Sequence, residues 1–146
     1  MLLIGTKNTG TQTVLTDGVV NVGNVYRRAE VSPCKTSTFL ATANGVTLNR
    51  SGIYHLTATF VVSAPAAGTV TVQLLLNGEA VDGAFASETI TTATTELRTM
   101  MIDYYVLVDN DFILNTASTI AQTISFANTG DDATFTSVVV NVDKVV

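Results

Sequence analysis

The chain has 146 residues and a net charge of −5, and 47% of its residues are hydrophobic while only 13% are charged. This length and apolar content describe one folded domain and exclude a disordered chain. Because phosphate binding needs lysine and arginine, the negative charge argues against nucleic acid and against anionic membrane surfaces as partners. No segment approaches the roughly 20 consecutive apolar residues of a membrane span.

Apolar residues recur at a period of two through most of the chain, which predicts strands and no helix. Turn-forming pairs such as Asp17-Gly18 and Asn77-Gly78 separate these strands. Eight to ten short antiparallel strands with regular turns predict an all-β sandwich, with a jelly roll as the leading architecture. The predicted strands are residues 11–15, 18–28, 36–43, 45–49, 53–63, 68–76, 84–91, 96–108, 118–127 and 133–145.

The segment before Tyr26 is more polar than the rest of the chain. It begins with a short apolar patch, Leu2, Leu3 and Ile4, which a polar run follows. We expect residues 1–25 to form an attachment arm that pairs with or docks onto a neighbouring protein. Residues 26–146 then form the jelly-roll domain. Disorder of the chain end is the alternative interpretation.

Two of the predicted strands, residues 96–108 and 133–145, are apolar on both of their faces. In residues 53–63 the alternation is simple, since Tyr54 and Phe60 fall on an apolar face and His55 on a polar one. A sandwich has one interior, so a strand that is apolar on both faces buries the second face against something else, most simply another copy of the chain. The candidate residues of such an interface are Leu97, Met101, Tyr105, Leu107, Phe135 and Val139.

Few residues offer chemistry. His55 is the only histidine, so a Ser–His–Asp triad would have to use it, and we interpret it instead as a solvated or interfacial strand residue. The pairs Asp109/Asp111 and Asp131/Asp132 are candidate calcium ligands, although turn formation explains them more simply. We therefore expect no enzyme, no cofactor and no resident metal.

Three segments carry a resemblance to a known family. The segment "VTLNRSGIYHLTATF", residues 46–60, resembles C1q and tumour-necrosis-factor-like jelly rolls, in which Gly-x-Tyr opens a core strand; here the match is Gly52 to Tyr54. The segment "DDATFTSVVVNV", residues 131–142, is similar to that family's last turn and strand. The segments "AAGTVTVQLLLNGEAVDGAFAS" and "VGNVYRRAEV", residues 66–87 and 22–31, resemble small C1q-like proteins of tailed bacteriophages.

This resemblance implies a homotrimer that belongs to a virion. The leading hypothesis is a structural protein on the capsid surface, either an auxiliary capsid protein or a head fibre, whose partners are its own copies and other virion proteins. The alternative is a fibre-tip module that recognises a host cell-surface glycan or protein. Glycan sites usually offer exposed aromatic rings. The predicted loops contain mostly Ala, Gly, Thr and Asp, which favours the structural role.

Overall fold

The computed structural model describes residues 2–29, 38–108 and 121–146. Within these ranges all regular structure is β, and no helix that could cross a membrane is present. The strands are β1 (Leu2–Asn8), β2 (Gln12–Val14), β3 (Asn24–Ala29), β4 (Phe39–Thr42), β5 (Gly45–Leu48), β6 (Gly52–Ser63), β7 (Gly68–Leu76), β8 (Glu79–Ile90), β9 (Arg98–Val108), β10 (Gln122–Asn128) and β11 (Ala133–Lys144).

The strands form two antiparallel sheets. The first sheet, which we call sheet A, has the order β3-β1-β11-β6-β9, with the short β2 also pairing with β11. The second, sheet B, has the order β4-β5-β10-β7-β8. Neighbours in each sheet are mostly distant in sequence, as in a jelly roll. The prediction of an all-β antiparallel sandwich is therefore confirmed.

The core lies between the sheets and follows the period of two. Along β6, the even-numbered residues from Tyr54 to Val62 are fully buried, while His55, Thr57 and Thr59 face outward and are partly exposed. Three phenylalanines meet edge-on at the centre, with the ring centroid of Phe60 5.2 Å from that of Phe126 and 6.0 Å from that of Phe135. Burial raises the pKa of the Tyr54 hydroxyl above its ordinary value.

The turns use the residues that the sequence supplies for them. Between β7 and β8, Asn77 has φ of 52° and Gly78 has φ of 83°, which are the positive values that a two-residue hairpin turn requires. Gly45, at the start of β5, is needed for a different reason. A Cβ at this position would lie 2.0 Å from the carbonyl oxygen of Ile124, so only glycine lets β5 approach β10.

The structure differs from the expectation of an N-terminal arm. Residues 2–8 form β1, which lies inside sheet A and pairs with both β11 and β3. Ile4 is buried in the core and Thr6 is fully buried, while Leu2 and Leu3 are partly exposed. The backbone N–H and C=O groups of this segment find hydrogen-bond partners in the strands on both sides. The segment therefore belongs to the sandwich in spite of its low apolar content. Val14, Val20 and Val22 also contribute to the core.

A β-bulge in β11 corrects the predicted face of Phe135. The register of β11 against β6 shifts between Phe135 and Ser137, so one extra residue separates Phe135 from the valines that follow. Phe135 consequently points into the core together with Val138 and is fully buried. The sequence alternation, read without the bulge, had placed Phe135 on the outer face beside Val139.

Candidate functional site

The outer face of β9 carries large apolar side chains. β9 is an edge strand of sheet A, since its only partner among the described strands is β6. Its even-numbered residues from Met100 to Val108 face the core, although Tyr104 is only partly buried. We give the name β9 strip to Leu97 (58% exposed), which directly precedes the strand, together with the outward-facing Met101 (59%), Tyr105 (60%) and Leu107 (63%).

The neighbouring strand β6 extends this apolar surface. Ile53 stands opposite Leu107 in the register and is 38% exposed. An alternation of apolar residues on an edge strand leaves both main-chain groups and apolar side chains available to another protein. Natural edge strands are usually protected by charge, and within the β9 strip the only charged outward residue between Met101 and Leu107 is Asp103.

A polar cluster centred on His55 lies beside the β9 strip. The Nε2 atom of His55 is 2.8 Å from Oδ1 of Asp103 on β9, and its Nδ1 atom is 3.7 Å from Oδ1 of Asp143 on β11. The imidazole ring also stacks on the ring of Tyr105, with centroids 4.8 Å apart. These partners come from strands that are distant in sequence, so sequence reasoning could not find them.

The geometry of this cluster argues against a catalytic triad. A general-base histidine needs one ring nitrogen free to accept a proton from a nucleophilic hydroxyl. In His55 both ring nitrogens face carboxylates. The cluster instead brings together outward side chains of β6, β9 and β11, with the ring of Tyr105 stacked on that of His55.

The carboxylates of Asp131 and Asp132, in the turn between β10 and β11, accept hydrogen bonds from backbone amides. Oδ2 of Asp131 accepts a hydrogen bond of 2.8 Å from the Thr69 amide, and Oδ1 of Asp132 accepts one of 3.0 Å from the Thr16 amide. The two aspartates line an open cavity of about 390 Å³ at one end of the sandwich, together with Thr16 and residues 65–67. Among the described residues, no group of three or more potential ligand side chains is placed to hold a metal ion. The other candidate pair, Asp109 and Asp111, lies outside the described residues.

At the opposite edge of sheet A, a second surface combines an aromatic ring with basic side chains. The ring of Tyr26 on β3 lies over Gly5, and its hydroxyl donates a hydrogen bond of 2.5 Å to Oδ1 of Asn141. Nζ of Lys7 is 5.4 Å from the centroid of this ring and Cζ of Arg27 is 5.9 Å from it. We call Leu3, Lys7, Tyr26 and Arg27 the Tyr26 surface.

The structure therefore brings together part of the predicted interface. Leu97, Met101, Tyr105 and Leu107 are exposed in one strip, Val139 is partly buried on the same outer face of sheet A, and Phe135 is in the core. Their role as an interface stays a prediction. Sequence reasoning missed the Tyr26 surface. The one available signal was Gly5, since a glycine within a strand often marks a place where another group packs closely on the backbone.

Comparisons with known proteins agree on the fold. No protein-family model matches the chain, and no curated protein matches its sequence. Among solved structures, the globular domain of a zebrafish complement 1qA protein superposes with a TM-score of 0.64 at 6% identity, covering 100% of this chain and 98% of that one. Eiger TNF from S. frugiperda gives a TM-score of 0.64 at 13% identity, with coverages of 100% and 94%.

The fold is a jelly roll of the C1q and TNF type. A similar jelly roll occurs in a vertex protein of phage PRD1, with a TM-score of 0.52 at 13% identity and coverages of 99% and 97%. Identities this low establish the shared architecture alone. The architecture is compatible with a structural or a binding role, and function has to be argued from the surfaces described above.

Proposed function

We propose that the protein is a structural virion protein, a homotrimeric jelly roll that decorates a phage capsid as an auxiliary capsid or head-fibre protein. The observation that carries this proposal is the β9 strip. Four large apolar side chains, each more than half exposed, line one edge of a sheet in a chain with only 13% charged residues. Contiguous apolar surface of this kind is typical of protein–protein contacts.

A second copy of the chain is the simplest partner for this strip. Self-association buries the apolar side chains without requiring another gene product, and soluble homo-oligomers usually have closed symmetry. The virion assignment is supported by the sequence resemblance to small phage C1q-like proteins and by the similar fold of the PRD1 vertex protein. The same sequence resemblance is the reason for proposing three copies in the assembly.

A structural role fits better than a recognition role. Exposed aromatic rings in the described residues, namely Tyr26, Phe85 and Tyr105, lie on strands and not in the loops at the ends of the sandwich. The open cavity at one end is lined by small and acidic residues. A glycan site would need a ring against which a sugar could stack.

Sedimentation equilibrium of the purified protein tests self-association. The wild type should be a trimer at micromolar concentration, and Leu107→Asp should shift it to monomer or make it insoluble, because the charge would be buried in the contact. Phe85→Asp is the matched control: Phe85 is 55% exposed, but it lies on β8 in the other sheet. A soluble wild-type monomer at this concentration would overturn the proposal.

The virion assignment needs a separate measurement. Antibodies raised against the purified protein should label particles of the virus that encodes it, and electron microscopy should show the label on the capsid. Label confined to the tail tip would favour the fibre-tip module that recognises a host glycan or protein. Particles without any label would contradict a virion role while leaving self-association intact.

A further inference from the structure

Charge is distributed unevenly over the outer face of sheet A. Two of the seven basic residues of the chain, Lys7 and Arg27, present their charges on this face at the edge formed by β1 and β3. At the other edge, β9 presents Asp103, which is 55% exposed, within the apolar β9 strip. The face thus has a basic, aromatic edge and an acidic, apolar edge.

These two edges cannot meet within one molecule. β3 and β9 are four strand spacings apart in the order β3-β1-β11-β6-β9. At about 4.8 Å per spacing the two edges are roughly 19 Å apart, and β1 and β9 are roughly 14 Å apart. A lysine or arginine on one edge therefore cannot reach Asp103 of the same chain along the sheet.

The basic groups of the Tyr26 surface lack an acidic partner. In residues 2–29, 38–108 and 121–146, neither Lys7 nor Arg27 forms an ion pair, and both cations lie near the face of the Tyr26 ring. Arg27 also lines an open cavity of about 240 Å³ with Leu3, Asn141 and Asp143. The carboxylate of Asp143 is turned toward His55, with 3.7 Å between Oδ1 and Nδ1. The apolar residues Leu3, Ile4 and Val142 also line this cavity. It therefore offers apolar contacts beside a cation that has no ion pair, which suits an incoming apolar strip that carries a carboxylate.

We infer that the Tyr26 surface of one copy receives the β9 strip of the next copy, with Asp103 of the incoming strand facing Lys7 and Arg27. The inference rests on the proposed self-association and specifies its geometry. The contact is head to tail, since the two surfaces are different. Every copy carries both surfaces, so such contacts close into a ring when the rotation between copies permits. Charge complementarity then fixes which edges meet and disfavours contact between two acidic strips.

Charge reversal tests this arrangement. Asp103→Arg and Arg27→Asp should each weaken the trimer by about tenfold or more in sedimentation equilibrium, because each places like charges in the contact. Asp103→Arg also removes the 2.8 Å contact between Asp103 and His55, so the behaviour of the double variant is the deciding result. The double variant Asp103→Arg/Arg27→Asp should recover most of the lost affinity, since the pair is restored with its signs exchanged. Glu79→Lys is the control, because Glu79 is exposed at the start of β8 in sheet B.

Zero-length carbodiimide coupling gives an independent readout on the wild-type protein. It should join the Lys7 amine to the Asp103 carboxylate, and in a mixture of ¹⁵N-labelled and unlabelled chains the linked peptides should include mixed-isotope pairs. Mass spectrometry of the digested trimer detects these pairs.

The outcomes separate this inference from the proposed function. A wild-type trimer that Leu107→Asp dissociates, but that neither charge reversal weakens, overturns the head-to-tail contact and leaves self-association standing. A wild-type monomer overturns both. Weakening by each single reversal, recovery in the double variant and mixed-isotope Lys7–Asp103 peptides together support the contact.

Discussion

The ring of Tyr26 lies so close to Gly5 that a Cβ added to Gly5 would be 2.7 Å from Cε1 of the ring. The same Cβ would be 2.7 Å from Oδ1 of Asn141, the acceptor of the Tyr26 hydroxyl hydrogen bond. The absence of a side chain at Gly5 on β1 therefore allows an aromatic ring on β3 to lie against the β1 backbone. The shape of the Tyr26 surface depends on this contact.

Gly5→Ala should displace the Tyr26 ring and break its hydrogen bond to Asn141. The loss should be about 1 kcal/mol of unfolding free energy, the usual net contribution of one hydrogen bond. A double-mutant cycle with Tyr26→Phe, measured by urea unfolding at a fixed chain concentration, checks the mechanism. If Gly5→Ala has already broken the bond, Tyr26→Phe costs nothing further in that background. Fully additive costs would show that the ring stays in place.

Phe60→Ala should cost about 3–5 kcal/mol of unfolding free energy, the range for deleting a buried aromatic ring. Phe60 is fully buried and meets two other phenylalanine rings edge-on. Thr59→Ala is the control, because the adjacent side chain points to the outer face of the same strand. Equal unfolding midpoints for the two variants in guanidinium chloride would contradict the assigned faces.

Ile4→Ala and Leu3→Ala together test whether β1 belongs to the sandwich. Ile4 is 1% exposed, so its truncation should cost about 2–5 kcal/mol. Leu3 is partly exposed on the outer face and its truncation should cost clearly less. Thermal unfolding measures both. Small and equal effects would instead indicate the N-terminal attachment arm that the sequence suggested, and deletion of residues 2–16 would then leave a folded domain.

Asn128→Ala should destabilise the turn between β10 and β11 by about 2 kcal/mol, since it leaves buried polar groups unsatisfied. Asn128 is fully buried, and its Nδ2 donates to the carbonyl oxygens of Val14 (3.0 Å) and Asp131 (2.8 Å). Its side chain thus attaches β2 to the turn. Hydrogen exchange should report faster exchange of the β2 amides in the variant, and Thr129→Ala, at an exposed neighbour, should change neither quantity.

Glu96 should make stability depend on acidic pH. Hydrogen bonds from the backbone amides of Thr91 and Thr92 lower the pKa of its carboxyl below the ordinary value, and Arg98 adds to this. A lowered pKa in the folded state stabilises the protein above the ordinary glutamate pKa, and the stabilisation is lost as pH falls through the lowered value. Wild type should therefore exceed Glu96→Gln in melting temperature near neutral pH, and the gap should narrow as pH falls below the ordinary glutamate pKa and through the lowered one. A gap that is constant with pH would contradict the assignment.

The sequence predicted the architecture because apolar and polar residues alternate along any strand that packs one face on a core. The faces of β6, β7 and β9 followed directly from it. Phe135 was misplaced because a bulge inserts one residue and exchanges the faces, and no residue type near Thr136 marks it. β1 was not predicted as a strand of the sandwich because its low apolar content pointed to an arm. It is held in place by backbone pairing with β11 and β3, which the sequence does not reveal. The partners of His55 depend on strand order, which a single sequence does not specify.

Leu2 pairs with Lys144, so both ends of the described chain leave the domain at the same end of sheet A. The cavity lined by residues 65–67, Asp131 and Asp132 lies toward the other end, where β6 passes into β7 and β10 into β11. The domain therefore has a polarity: any polypeptide joined before residue 2 or after residue 146 is added at one end and leaves the loops of the far end unobstructed. A peptide inserted at Ala66 would be displayed at the far end of every copy, away from any anchor fused to either terminus.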